Sequence, residues 1–259
     1  MLKLTLPPSL CTVFRHSNGI ARIPNCSTGR RFISGTSKGS ATMAGAVDHA
    51  EYHSRWETEW TDGVGEGDKW DARASAPALT KLVSSGALEL KGKKSIVPGC
   101  GRGYDVLLFA GEGSDALGLE IAQTAVDVAS GYRDSLQIPD EHKKKANFVL
   151  GDFFKHGGGQ FDVGFDYTFF CAIHPSMRAD WAKQWSKLIV PGGELVTLIF
   201  PVDSTREGGP PFHTDPNVAK DLLEANGFEC KELGPVDPSV SIPPRAGREY
   251  LGRWIRSMQ

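Results

Sequence analysis

From Lys94 onward, short apolar runs alternate with longer stretches of helical periodicity, and this alternation restricts the possible folds more than any other feature. The apolar runs cover residues 94–98, 116–119, 147–150, part of 161–170, and 194–200. They are too short for helices and end in Gly, Pro or charged residues, so they read as strands. Between them, residues 104–111, 121–136, 175–189 and 215–226 read as helices. The second of these carries Ala122, Ala125, Val126 and Ala129 at helical spacing, and Gly227 stops the last. Residues 228–233 and 249–256 are closing strands, which makes seven in all. Alternating strands and helices imply parallel strands joined by crossover helices. The expected fold is therefore α/β: a doubly wound, mostly parallel seven-stranded sheet in a single domain. The near-continuous apolar character of 194–200 suits a sheet covered on both faces. Such sheets bind ligands beyond the carboxyl ends of their strands.

Two further helices are expected ahead of the first strand, at 48–59 and 74–85, with Pro77 tolerated in a first turn and Gly86 as a stop. The Gly-rich, acidic stretch 61–71 between them is a loop. Trp56 and Trp60 lie four positions apart on the first helix and so share a face.

The first 45 residues have a different composition. No Asp or Glu precedes Asp48, whereas Lys3, Arg15, Arg22, Arg30, Arg31 and Lys38 stand among many Ser and Thr. Arg-rich, Ser-rich and acid-poor is the composition of an organelle transit peptide. Arg30-Arg31-Phe32-Ile33-Ser34 resembles a mitochondrial processing site. Residues 1–45 are expected to be a leader to mitochondria and 46–259 the folded domain. The alternative is a disordered tail on a cytoplasmic protein, with Met43 as a possible internal start.

The remaining composition excludes several classes. A formal net charge of -2 gives no reason to expect a polyanion such as nucleic acid as a partner. No run of 18 apolar residues offers a membrane span. The five cysteines are scattered without a Cys-x-x-Cys pair, against both a disulfide framework and a zinc knuckle. Cys171-x-x-His174 supplies two ligands where a structural metal needs four, so no metal is expected. His174 reads as a helix cap or, alternatively, as a weak base for a thiol. A monomer acting on a small molecule is the expectation.

Three motifs carry chemistry, each just after a strand. The first is Val97-Pro98-Gly99-Cys100-Gly101-Arg102-Gly103-Tyr104. Its Gly-x-Gly-x-Gly spacing differs from the Gly-x-Gly-x-x-Gly that seats a pyrophosphate on a helix N-terminus. Gly99 and Gly101 let backbone approach a ligand that has no phosphate. The second is Glu120, whose carboxylate is placed to accept both hydroxyls of a ribose. The third is Gly151-Asp152-Phe153, where Asp152 suits an adenine amino group and Phe153 suits its ring. Each has an ordinary structural alternative: a plain turn, a helix N-terminal carboxylate, an Asx cap. Together and in this order they describe a nucleoside site. Trp56, Trp60 and Trp70 lie upstream within fifteen residues, where aromatic faces favour a cation without a counter-charge. A nucleoside bearing a cation and no phosphate fits S-adenosylmethionine. Ordinary core packing is the other reading of the tryptophans.

The residues resemble a known family. Ile96-Val97-Pro98-Gly99-Cys100-Gly101-Arg102-Gly103-Tyr104-Asp105 is similar to the first motif of the thiol/halide methyltransferases, within the thiopurine methyltransferase-like group of class I S-adenosylmethionine-dependent enzymes. The similarity extends through Trp70-Asp71-Ala72-Arg73, Phe165-Asp166-Tyr167-Thr168-Phe169-Phe170-Cys171-Ala172-Ile173-His174-Pro175 and Arg178-Ala179-Asp180-Trp181-Ala182. It continues in Pro191-Gly192-Gly193-Glu194-Leu195, Gly208-Gly209-Pro210-Pro211-Phe212 and Leu251-Gly252-Arg253-Trp254. The resemblance implies S-adenosylmethionine as cofactor and iodide, bromide, hydrosulfide, thiocyanate or small thiols as acceptors. It implies that Trp56, Trp60, Trp70, Gly99, Glu120, Asp152, Phe153 and Tyr167 line the cofactor site. Two positions depart from the plant pattern, His174 for Glu and Glu120 for Asp.

On that basis Tyr167 is expected to position acceptor or cofactor through its hydroxyl. Phe169, Phe170 and the 208–212 loop are expected to close a small dry pocket over the methyl group. A nicotinamide dehydrogenase is disfavoured by the glycine spacing. A nucleic-acid or protein methyltransferase would show a basic face or an added recognition domain. A non-catalytic module that only binds the cofactor is the remaining alternative.

Overall fold

A computed structural model describes residues 49–157 and 160–258. The expected leader, 1–45, lies outside the described residues. Seven strands form one sheet in the order β3-β2-β1-β4-β5-β7-β6. They are β1 (Lys94–Pro98), β2 (Asp115–Glu120), β3 (Ala146–Leu150), β4 (Phe161–Tyr167), β5 (Ile189–Ile199), β6 (Phe228–Pro235) and β7 (Tyr250–Arg256). The first five run parallel, and β7 is antiparallel to both β5 and β6. The order reverses at β1, so the ligand crevice of such a sheet is expected above β1 and β4.

Helices α1 (His49–Thr61), α2 (Pro77–Ser84), α3 (Tyr104–Gly111), α4 (Gln123–Ser135), α5 (Asp140–Lys145), α6 (Arg178–Leu188) and α7 (Pro216–Glu224) complete the described chain. Successive strand residues feed opposite faces. Val97 and Val196 join a core with α2 and α3, while Ile96 and Leu195 join one with α6 and α7. Burial on both faces accounts for the apolar strands. Trp181, Trp185 and Trp254 are fully buried. Trp181 Nε1 donates to Asp166 at 2.7 Å and Trp254 Nε1 to Thr197 at 3.0 Å, so these indoles keep their polar edge satisfied. Gly164 makes room for Trp185, because a Cβ there would lie 2.5 Å from Trp185 Cζ3.

The seven expected strands and the parallel core are present. The structure corrects some boundaries. The expected helix 175–189 begins as a tight turn, Pro175–Met177, before α6. β5 starts at Ile189 rather than 194, because the chain pairs with Phe161 directly after α6 and then slips register before Glu194 meets Val163. Helix α5 was not expected: its sequence, DEHKKK, has no apolar face and buries no residue.

Candidate active site

The site lies at the carboxyl edge of the sheet, where the order along the edge places its parts in a row. Asp152 follows β3, Glu120 ends β2, Gly99 follows β1, Thr168 follows β4 and Phe200 follows β5. Because β7 is antiparallel, the loop before it brings Arg245 and Arg248 to the same edge. A cavity of about 550 Å3 runs along this row. That falls within the roughly 300–1,000 Å3 of small-molecule sites. Trp56, Trp60, Trp70, Gly99, Glu120, Asp152 and Phe153 all line it.

Local sequence explains the floor. Gly99 has φ +58° and Gly101 φ +54°, a left-handed conformation that Cβ disfavours. A Cβ on Gly99 would sit 2.8 Å from the Phe169 ring, so the backbone here is pressed against the cavity wall. Gly101 donates its amide to Glu120 Oε1 at 2.7 Å, and Ile121 donates to Oε2 at 3.1 Å. Each oxygen keeps a second lone pair. Burial pushes the Glu120 carboxyl up to about 7, against the two amides, which favour the ionised form. Asp152 is an Asx cap, Oδ1 accepting from the Phe154 amide at 2.9 Å. Its Oδ2 is buried without a hydrogen-bond partner, although His53 Nε2 and Lys155 Nζ each lie 3.3 Å away. Phe153 packs between Phe169 and Trp185, with ring centroids 5.0 and 5.1 Å apart.

Helix α1 forms the facing wall. Tyr52, Trp56 and Trp60 recur every fourth residue and all reach the cavity. Trp70 packs edge-on against Trp56 at 5.5 Å and Trp60 at 6.0 Å. Helix α4 has no side-chain cap of its own. Glu57 supplies one from α1, accepting from the amides of Gln123 at 2.6 Å and Thr124 at 3.2 Å and from the Thr124 hydroxyl. The following loop is fastened through Asp71, which accepts from Arg102 Nε at 2.9 Å, the Tyr104 hydroxyl at 3.1 Å, and the Gly67 and Arg73 amides. Burial alone would raise the Asp71 carboxyl; Arg102 and the amides outweigh it and hold it below its ordinary value.

Other expected site residues lie outside the large cavity. Tyr167 and Gly101 do not line the large cavity. They border a smaller one of about 60 Å3 that shares Trp60, Trp70, Gly99, Thr168 and Arg245 with it. The Tyr167 hydroxyl donates to the buried Glu249, which also accepts from Ser241, so its proton is not offered to an acceptor as expected. Phe170 does not close over the cavity; it is buried against Trp181 at 4.5 Å and beneath the Arg178 guanidinium at 4.6 Å. In the 208–212 loop Pro210 and Pro211 line the cavity, but Phe212 turns to His174 at 5.6 Å. His174 Nδ1 accepts from the Ser176 amide at 3.3 Å and meets the Ser176 hydroxyl at 2.8 Å, which is the capping role.

The sequence reading missed Tyr52, Thr168, Phe200, Arg245 and Arg248. Tyr52 was legible from its spacing to Trp56 and Trp60. Thr168 holds φ +62°, strained for a β-branched residue, at the end of β4. Arg245 comes from a loop between β6 and β7 and has no local signature.

The cavity has polar groups at Glu120 and Asp152 and apolar walls at Phe169, Met177, Phe200, Pro210 and Pro211. The polar groups fit the nucleoside of S-adenosylmethionine: Glu120 offers two free lone pairs, and Asp152 a buried oxygen with no hydrogen bond, 3.3 Å from His53 Nε2 and from Lys155 Nζ. The indole wall fits its sulfonium.

The thiopurine S-methyltransferase (TPMT) family model matches residues 51–248. The chain is 39% identical over 203 residues to "Probable thiol methyltransferase 2" of Arabidopsis thaliana, covering 78% of this chain and 84% of that protein. It is 38% identical over 200 residues to "Thiocyanate methyltransferase 1" of Brassica oleracea, covering 77% and 83%. Among solved structures, it resembles one from work on conversion of a disulfide bond into a thioacetal group during echinomycin biosynthesis. That likeness has a TM-score of 0.63 at 20% identity, over 80% of this chain and 94% of that one. It also resembles the magnesium protoporphyrin IX methyltransferase of Synechocystis PCC 6803, solved with bound S-adenosylmethionine. Here the TM-score is 0.59 at 16% identity, over 83% and 100% of the two chains. At these identities the structural likenesses show the fold.

Proposed function

The chain belongs to the thiopurine S-methyltransferase family, and from that premise we propose that it methylates small, soft nucleophiles that reach the site already as anions. It is an S-adenosylmethionine-dependent methyltransferase acting on thiol-type nucleophiles. The finer reading, that hydrosulfide, thiocyanate and halides such as iodide serve as acceptors, is ours.

One observation carries it. Among the described residues, the carboxylates and the histidine lining the cavity are Glu59, Glu120, Asp152 and His53, on α1 and at the ends of β2 and β3; the apolar stretch of Phe169, Cys171, Ala172, Met177, Phe200, Pro210 and Pro211 adds none, and its ionisable group is Cys171. Burial pushes the Cys171 thiol up to about 12, so it is protonated at neutral pH and removes no proton. An acceptor must arrive ionised. When bound, S-adenosylmethionine supplies an activated methyl on a sulfonium. The residues then need only align the reacting atoms and exclude water. Glu120 and Asp152 anchor the nucleoside end, Trp56, Trp60 and Trp70 face the sulfonium, and Phe169, Phe200, Pro210 and Pro211 strip water from the acceptor. Apolar walls disfavour a hard, strongly hydrated anion more than a soft one, so iodide and hydrosulfide should outrank chloride. Incubation with S-adenosylmethionine and iodide or hydrosulfide, with headspace detection of methyl iodide and methanethiol, tests this reading. Product from both supports it; product only from bulky aromatic thiols contradicts it.

No described helix is long and apolar enough to cross a membrane. We further propose that the protein acts as a monomer and that residues 1–45 direct it to mitochondria, with cleavage near Phe32 to Ser34. The support is compositional. Intact-mass measurement on protein from its native source should give a mature chain starting there; a chain starting at Met1 or Met43 would refute the leader.

A further inference from the structure

Among the described residues, Arg245 is the one guanidinium shared by both cavities, and it is unusually constrained. It is 8% exposed. Its Nη2 donates to the Trp70 carbonyl at 2.7 Å. Its carbon lies 4.9 Å from the Tyr167 ring centroid and 5.3 Å from that of Phe200. Glu249 in turn fixes Tyr167 through its hydroxyl. Yet Nη1 is buried with no hydrogen-bond partner, and among the described residues no carboxylate lies within 4.0 Å of this side chain. The buried Asp105, in the wall of the small cavity, acts on it only from farther away. A buried guanidinium with a free donor and no close counter-ion is costly unless an anion completes it.

We propose that Arg245 binds the α-carboxylate of the cofactor's amino-acid arm, an inference that rests on the S-adenosylmethionine reading above. The order of strands sets the direction of that arm. Glu120 on β2 fixes the ribose, so the arm runs across Gly99 after β1 toward Thr168 after β4. Two strand spacings span about 9.6 Å, the reach of an extended amino-acid arm. The small cavity adjoins the large one there, sharing Gly99 and Thr168 with it, and is lined by Gly101, Trp60, Trp70 and Arg245. An acceptor anion is the other candidate for the free nitrogen. Phe169, Met177, Pro210 and Pro211 line the large cavity and not the small one. The carboxylate thus answers a built, polar recess, and the acceptor keeps the apolar one.

The test compares two ligands on the full chain by calorimetry: S-adenosylhomocysteine, which carries the amino-acid arm, and 5′-methylthioadenosine, which lacks it. In R245Q the affinity for S-adenosylhomocysteine should fall roughly tenfold or more, the scale of a lost charge-assisted hydrogen bond. Affinity for 5′-methylthioadenosine should stay within about twofold on the same reasoning. R245K should recover part of the loss, since an ammonium restores the charge but not the fork. Equal loss for both ligands would show that Arg245 only holds the Trp70 loop and would overturn the proposal. Unchanged affinity for both, with a raised KM for iodide, would assign the nitrogen to the acceptor and overturn it as well. If the unaltered protein binds neither ligand, the cofactor reading itself fails.

Discussion

Glu120 holds two amide hydrogen bonds and still has a carboxyl raised to about 7 by burial. Ribose hydroxyls donate to the carboxylate and not to the acid, so binding favours the ionised form. Cofactor affinity should therefore be full above about pH 7 and fall as pH drops below it, by at most about tenfold per unit for one linked proton. Titrations of S-adenosylhomocysteine at pH 6 and pH 8 check the sign: weaker binding at pH 8 would contradict it. Glu120→Gln should cost roughly 1.5–3 kcal/mol of binding and flatten that dependence. Tyr167 behaves differently. Its hydroxyl belongs to the buried Glu249, so Tyr167→Phe leaves that carboxyl with Ser241 alone. We expect a stability loss of about 1–3 kcal/mol, visible as a lower unfolding midpoint, and no distinction between iodide and thiols in the remaining rate. A rate loss confined to thiols, at unchanged stability, would instead give the hydroxyl a part in deprotonation.

At the level of elements, α1 matters more than its marginal length suggests. It contributes Tyr52, Trp56 and Trp60 to the cavity, and Glu57 binds it to the start of α4. Glu57→Ala removes that cap at about 0.5–2 kcal/mol and should weaken cofactor binding without touching a residue that contacts the nucleoside end. Unchanged binding in the variant would show that α1 is held by its tryptophans alone. The β4–α6 contact offers a steric test: Gly164→Ala drives a Cβ to 2.5 Å from Trp185 and should destabilise the fold by about 1–3 kcal/mol, measured by denaturant unfolding. Elements also show what sequence can reveal. Strands buried on both faces are apolar throughout, and their ends carry Gly99, Glu120 and Asp152 in fixed local contexts, so the nucleoside half was legible. Helix α5, with no buried face, was not. Nor was the division of Phe169 from Phe170: adjacent residues at a strand end face apart, one to the cavity and one to Trp181.

On the scale of the whole molecule, the half of the site beyond β1 is assembled from segments far apart in the chain: Thr168 after β4, Phe200 after β5, Pro210 and Pro211, with Arg245 before β7 at its border with the small cavity. Arg245 reaches the Trp70 carbonyl across 175 positions, and no window of sequence announces such a contact. The same assembly leaves that half without a base. The direct measurement is the pH dependence of kcat/KM for iodide and for a simple thiol, side by side at saturating cofactor. The profile should be flat for iodide and, for the thiol, rise through the thiol's own pKa. A rise shared by both acceptors, or a thiol profile set by a group of the protein, would contradict it.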